Sequence, residues 1–476
     1  MAGPSGDGVI DLPSFLKSQN ALNDAQLQAA ATPQQVPVGF KAAGPEDILT
    51  FALENPRLSA LLGVKDGEEA AARSQVAIEE VGDGNINFVY ILRGPTGALV
   101  VKQALPYVRC VGDAWPLAMS RIAFECQALQ AQRSLAPAHV PEVFLFDQNR
   151  ALLVMEFIPP PNIILRKAFI QGLRYPKVAE HLGLFLAHTL YGSSALRLPG
   201  EEFRRRVSSW SLNSSLCALT EQVIFSDPYV DAKYNRWTTP QLDEYAFAIR
   251  RDLPLKLAVA SLKEAFLGRA EALLHGDLHT GSAMASEEST FVIDPEFAFY
   301  GPMGFDIGAL LANILLAYFS QPGRNAGDDY EEWLLLQIDI VWKTFDHEFF
   351  SLWTREHEES GKNGELYTAG ILNGAGELER AQEAYRKRLW RDTIGFAGAK
   401  MIRRIVGIAH VADLESIEDN EVRAVCEKRS LVFGRVLVIA SQQRLEGTAA
   451  DDVAALIALA RTIQSSSPPT TWPSEP

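Results

Sequence analysis

Three consecutive prolines, Pro159-Pro160-Pro161, divide this sequence into two parts with different hydrophobic periods. Ahead of them the period is short. Val76–Val81, Ile86–Leu92 and Ala98–Gln103 read as strands, separated by the turn signals Gly82-Asp83-Gly84-Asn85 and Gly94–Gly97. Turns that short join neighbours antiparallel, so a meander is predicted. A helix follows over Arg121–Gln132, with Ile122, Cys126 and Leu129 on one face, then two more strands, Val143–Asp147 and Ala151–Phe157. Pro45-Glu46-Asp47 opens an earlier helical segment that runs to about Gly63. Beyond the prolines helical spacing dominates, over Lys177–Leu190, Pro254–Leu274, Asp306–Ser320, Tyr330–Thr354, Glu377–Val411 and Glu421–Gln443. Strands gathered before helices define an α+β fold with a β-rich N-lobe and a mainly α-helical C-lobe. A chain of 476 residues, 47% of them hydrophobic, can bury a core in each part. The expected division is a flexible N-terminal extension at 1–40, the N-lobe at 41–158, the C-lobe at 159–464 and a disordered tail at 465–476, whose Ser/Pro content suits no packed element.

Charge narrows the function classes. A net charge of −15 argues against a nucleic-acid partner, which calls for a basic surface. It leaves room for an anionic small molecule in a locally basic pocket. Cys110, Cys126, Cys217 and Cys426 are scattered without a C-x-x-C pair, as free thiols of a reducing compartment are. The longest apolar run, Ile307–Phe319, is shorter than a bilayer span and reads as a buried helix. No membrane association and a cytoplasmic location are expected.

The chemistry is concentrated in His275-Gly276-Asp277-Leu278-His279, followed after a short apolar stretch by Asp294-Pro295-Glu296. Phosphoryl transfer depends on positioning and charge neutralisation more than on covalent help. One carboxylate, Asp277, can accept the proton of an acceptor hydroxyl. A second, Asp294, can hold the Mg²⁺ that bridges the ATP phosphates. Asp294 and Glu296 are two apart, so on a strand-like segment both would share a face and the metal. The β-rich part has matching pieces. Gly84, Asn85 and Asn87 belong to a loop between two strands that could fold over phosphates. Lys102, among β-branched residues, needs a partner if buried, and Glu125 on the next helix is the natural one. That pair would aim an ammonium at the α- and β-phosphates. Glu156-Phe157-Ile158, just before the prolines, suits a hinge whose backbone binds adenine.

These segments, with Ile163–Lys167, Leu219–Tyr229, Asp294–Asp306 and Met401–Gly407, resemble the methylthioribose kinases, part of the wider group of aminoglycoside and choline kinases with a two-lobed protein-kinase-like fold. The resemblance spans roughly Gly39 to Gln443. It implies an ATP-dependent transferase that phosphorylates the 1-hydroxyl of 5-methylthioribose in methionine salvage, a branch of amino-acid biosynthesis. It also implies Mg²⁺ and a homodimer. Under it, Asp277 is the base and a sugar contact, Asp294 and Glu296 bind metal, and Asn87 and Lys102 meet ATP. Asp306 braces the catalytic loop. The wider group carries Asn five positions after the catalytic Asp; here that position is Ser282, a weaker ligand, and Glu296 is expected to supply the missing oxygen.

Two arginines add a substrate expectation. Helical neighbours point about 100° apart, so Arg403 and Arg404 cannot face one spot equally. Met401, Ile405 and Ile408 set the apolar face, and Arg404 lies at its edge. Arg404 is therefore favoured for the sugar hydroxyls or the transferring phosphate, with Arg403 second. His279 is expected to brace the loop rather than move protons. The rival readings are another small-molecule hydroxyl kinase, of the choline or aminoglycoside type, and a non-catalytic nucleotide-binding scaffold. A choline site needs an aromatic cage, and an aminoglycoside site an acidic pocket. The arginine pair suits an oxygen-rich sugar better.

Overall fold

The computed structural model describes residues 36, 40–64, 73–82, 86–108, 112–324, 327–360, 364, 366–367, 370–443, 449, 451–467 and 471–473. Gly84, Asn85, Cys110 and almost all of the 1–40 extension lie outside the described residues. The chain forms two compact units. The first comprises Met1–Pro159, Ser208–Leu216 and Asp294–Phe297, and the second comprises Pro160–Val207, Cys217–Ile293 and Ala298–Pro476. Antiparallel sheets with separate helices make the fold α+β, as the sequence predicts.

In the first unit, helices α1 (Pro45–Glu54) and α2 (Pro56–Leu62) precede strands β1 (Ala77–Glu80), β2 (Asn87–Arg93) and β3 (Ala98–Ala104), helix α3 (Arg121–Leu135), and strands β4 (Val143–Asp147) and β5 (Leu152–Glu156). The five strands form one antiparallel sheet in the order β1-β2-β3-β5-β4. The single helix expected over Pro45–Gly63 is broken at Asn55. Its side chain accepts from the N–H groups of Arg57 and Leu58 and so caps a new helix that starts at Pro56. The short hairpin Tyr107–Val108 with Gly112–Pro116 was not foreseen either. The core of this unit joins Ile48, Leu58 and Leu62 of the helices to Tyr90, Leu92, Leu99, Val101, Leu152 and Val154 of the sheet. Strand residues alternate between faces. Leu99 and Val101 therefore point into that core, and Lys102 points to the opposite face, where α3 packs.

The second unit carries β6 (Ile163–Ile164), β7 (Ala272–Leu273), β8 (Ala283–Ala285), β9 (Thr290–Val292) and β10 (Tyr300–Gly301). These pair as a three-stranded antiparallel sheet, β9-β8-β6, and a two-stranded ladder, β10-β7. Its principal helices are α4 (Leu165–Ile170), α5 (Val178–Gly192), α6 (Leu253–Gly268), α7 (Gly304–Phe319), α8 (Asp328–Ser360), α9 (Glu377–Val406), α10 (Ala412–Glu415), α11 (Asn420–Gln442) and α12 (Val453–Ser465). The helix expected over Pro254–Leu274 stops at Gly268, and the residues before the His275 loop pair as β7 instead. The apolar run Ile307–Phe319 lies in α7, every residue of which is buried, as an all-round apolar helix must be. Among the described residues no helix is long and apolar enough to cross a membrane.

Helix α9 is held from two sides by close contact. A Cβ on Gly308 of α7 would stand 2.4 Å from the Thr393 carbonyl oxygen, and one on Gly398 would stand 2.3 Å from that of Gly434 on α11. Only glycine permits both approaches. Beyond α12, Trp472 is anchored: its indole N–H donates to Asp252 (2.8 Å) and its ring meets Tyr245 edge-on. At this residue the tail, expected to lack structure, is ordered by an aromatic contact that a Ser/Pro-rich composition hides.

Candidate active site

Each unit gathers a cluster of charged side chains. In the first unit, Lys102 of β3 donates to Glu125 of α3 at 2.6 Å and also pairs closely with Asp294. Glu296 lies beside them. One of its oxygens accepts from the Asn87 amide at 2.9 Å and stands 3.5 Å from the Arg121 guanidinium. Arg121 in turn donates to the Asn87 side-chain oxygen (2.8 Å) and to the carbonyls of Leu105 (2.8 Å) and Ala118 (2.9 Å). It opens α3, where a cation opposes the helix dipole, so it needs these acceptors. Burial opposes the Lys102 charge, but Asp294, Glu125 and Glu296 together hold the ammonium protonated well above its ordinary range. Burial pushes both Glu125 and Glu296 upward, against the pull of Lys102.

Asp294 differs from its neighbours. Its side chain is 48% exposed, whereas those of Glu125 and Glu296 are 0% and 3% exposed. Its backbone is left-handed, at φ 70°. Strand β9 ends at Val292, so Asp294 and Glu296 do not share a strand face as expected; a sharp backbone turn presents one carboxylate outward and buries the other. Their hard oxygen donors suit Mg²⁺, which binds through one or two carboxylates and completes its shell with phosphate and water. Among the described residues no group of three or more His, Cys, Asp or Glu side chains could hold a metal ion.

In the second unit the loop between β7 and β8 is fixed by hydrogen bonds to its backbone. Asp306, in the first turn of α7, accepts from the N–H groups of His275 (2.6 Å) and Gly276 (3.0 Å). Gly276 takes a left-handed φ of 84°, which lets the loop turn between these two bonds. His275 Nε2 lies 2.9 Å from the Ile293 carbonyl. Ser282 Oγ accepts from His279 N–H (2.9 Å) and lies 2.9 Å from the Asp277 carbonyl, so this hydroxyl is committed to the loop. His279 Nδ1 accepts from Gly281 N–H (3.0 Å), which places the neutral ring's proton on Nε2, 3.4 Å from Asp277 Oδ2.

Asp277 faces helix α9. Lys400 Nζ donates to its Oδ1 at 3.0 Å, and Arg404 stands at 4.0 Å. Arg403 is buried alongside. Arg166 of α4 donates to Asn313 (2.9 Å) and lies 3.1 Å from Asp413 of α10. Burial pushes Asp277 upward, but the surrounding cations hold it well below the usual carboxylate range. Burial also lowers His279 to about 4, so at neutral pH that ring is uncharged and the effect on Asp277 comes from Lys400 and Arg404. Burial, followed by Arg403, pushes the Arg404 guanidinium well down; a guanidinium remains protonated all the same, so this crowding is an unfavourable term that a bound anion would offset. The Nε groups of Arg403 and Arg404 are buried without a hydrogen-bond partner among the described residues.

Of the predicted residues, Asn87, Lys102, Glu125, Asp294 and Glu296 come together in the first unit, and Asp277, Arg403 and Arg404 in the second. Glu156 is engaged locally: its side chain accepts from Glu142 N–H at 2.9 Å. Phe157 lies under the Arg93 guanidinium at 4.4 Å, and Ile158 is buried. Gly84 and Asn85 lie outside the described residues. The sequence reading passed over Arg121, Arg166, Lys400 and Asp413. Two of them left a trace. Lys400 interrupts an apolar helical stretch one turn before the arginines, and Arg121 is a cation in the first turn of a helix, four residues before Glu125.

Residues 77–343 match the phosphotransferase enzyme family, and the chain is an ATP-dependent phosphotransferase. Methylthioribose kinase 1 of Oryza sativa subsp. japonica is 48% identical over 409 residues, covering 85% of this chain and 93% of the relative. Methylthioribose kinase of Escherichia coli O45:K1 is 42% identical over 371 residues, covering 77% and 87%. Among solved structures, a glucosamine kinase in complex with glucosamine, ADP and inorganic phosphate has a TM-score of 0.38 and 12% identity, covering 81% of this chain and 85% of that one. The chain belongs to the methylthioribose kinase family.

Proposed function

We propose that the chain transfers the γ-phosphoryl group of ATP to the 1-hydroxyl of 5-methylthioribose, giving 5-methylthioribose 1-phosphate in methionine salvage. The reading extends to Mg²⁺, a cytoplasmic location and a homodimer, which the family resemblance implies. Asp277 orients the acceptor hydroxyl and takes its proton. Lys102, held by Glu125, meets the α- and β-phosphates. Asp294 and Glu296 would hold Mg²⁺, which neutralises phosphate charge when bound. Asn87 and Arg121 keep Glu296 in place. Gly84, Asn85 and the backbone at Glu156, Phe157 and Ile158 complete the nucleotide site in this reading. Arg404, with Arg403 behind it, meets sugar hydroxyls or the transferred phosphoryl group.

The observation that carries the acceptor assignment is the charge around Asp277. Lys400, Arg403, Arg404 and Arg166 outnumber Asp277, Asp306 and Asp413. A buried surplus of cations repels choline or an aminoglycoside and suits a neutral sugar that becomes anionic. The test is ADP release with Mg²⁺-ATP and a panel of 5-methylthioribose, ribose, choline and an aminoglycoside. Turnover on methylthioribose, abolished in Asp277→Asn, supports the reading; turnover on choline or the aminoglycoside instead overturns it.

A further inference from the structure

Lys400 has no assigned role, yet its surroundings are unusual. Its side chain is 2% exposed, and its Nζ lies 3.0 Å from Asp277 Oδ1, closer than either Arg404 or His279 approaches that carboxylate. The same ammonium sits 4.4 Å over the ring of Phe305, which belongs to an aromatic group with Phe266 and Phe396. A buried ammonium is retained only where its partners are fixed. Here everything around it is fixed. Asp277 belongs to the loop that Asp306 braces, and α9 is locked at Gly398 and against Gly308.

We propose that Lys400 is the positioning residue of the acceptor site: its ammonium pins one oxygen of Asp277 and so keeps that carboxylate ionised and aimed at the acceptor hydroxyl. The inference rests on the kinase reading above and goes beyond it by assigning the aim of the base to a side chain on a different element. Arg404, at 4.0 Å and with one guanidinium nitrogen directed to the Ala409 carbonyl, cannot substitute for a direct hydrogen bond. His279, neutral at ordinary pH, supplies no charge.

The charged groups facing Lys400 are Asp277 of the loop, Asp306 of α7 and Arg403 and Arg404 of its own helix; His279 reaches Asp277, and Arg166 of α4 reaches Asp413, one contact further out. Burial and the two arginines of α9 lower Lys400 to about 8 despite Asp277. The ammonium is charged below that pH and neutral above it. The kcat/KM of the wild type, which reports the free enzyme, should therefore decline as pH rises through about 8.

Three measurements test the pair. First, Lys400→Met should lower kcat about 100-fold with the KM for ATP unchanged, the scale of a misplaced catalytic group. Second, Lys400→Arg should restore most of kcat and abolish the alkaline decline, because a guanidinium does not titrate there. Third, the ¹³C carboxyl signal of Asp277, assigned by its disappearance in Asp277→Asn, should titrate at a higher pH in Lys400→Met than in the wild type, where the neighbouring cations hold the carboxyl low. The signal is read without substrate, so it decides the pairing even if no acceptor on the panel turns over and the kinase reading fails. Should Lys400→Met not fold, the pH profile of Lys400→Arg decides. An unaltered carboxyl titration in Lys400→Met, or a wild-type alkaline limb in Lys400→Arg, overturns the proposal.

Discussion

The two clusters of this enzyme are built with opposite charge balances. In the first unit Glu125, Asp294 and Glu296 outnumber Lys102 and Arg121, whereas in the second Lys400, Arg403, Arg404 and Arg166 outnumber Asp277, Asp306 and Asp413. Each imbalance fits what the cluster is proposed to receive. An acid-rich cluster can take a divalent cation with its nucleotide, and a base-rich one can take a group that gains negative charge. The mode of fixation differs as well. Glu296 is held by side chains, Asn87 and Arg121, while the loop that carries Asp277 is held through its backbone by Asp306.

This contrast can be broken or sharpened by substitution. The largest effect is expected for Asp277→Asn, with kcat falling by about 10²–10⁴-fold and the KM for ATP unchanged in steady-state kinetics. An equal loss of ATP affinity would mean that the second cluster also builds the nucleotide site. Asp294→Asn should weaken Mg²⁺ more than Asn87→Ala, for which an outer partner predicts about 10–100-fold, read from the Mg²⁺ dependence of ATP binding. Equal effects would place Asn87 among the direct contacts. Arg404→Lys should lower kcat/KM for the sugar by about 10-fold or more, and Arg403→Lys by less, since only Arg404 lies within 4.0 Å of Asp277. The smallest catalytic effect belongs to Gly398→Ala. The added methyl forces α9 from α11 and should cost about 1–3 kcal/mol of stability in denaturant unfolding, with the KM for ATP unmoved.

The clusters were not equally legible in the sequence. Lys102 and Glu125 could be paired from a strand lysine and the following helix, because both positions are fixed by local periodicity. The His275 loop and Asp294-Pro295-Glu296 were visible as residue types whose spacing fits a reaction. What stayed hidden depends on backbone conformation or long-range packing. The left-handed turn at Asp294 separates two carboxylates that a strand would align. Asn55 splits a helix through a side-chain cap. The sequence placed Arg404 at the edge of the apolar face of α9, but the full burial of Lys400, Arg403 and Arg404 follows only once α7 and α11 close around them. Arg166 and Asp413, remote in sequence, meet only once α4 and α10 are in place.

The surplus of cations around Asp277 bears on the end of the catalytic cycle. The acceptor enters as a neutral molecule and leaves as a dianion. The cluster therefore holds product more firmly than substrate, against which its own carboxylates and the general repulsion of a chain with net charge −15 both work. Release of the sugar phosphate has to overcome that attraction, and because Lys400, Arg403 and Arg404 are buried, added salt should ease the release only slightly.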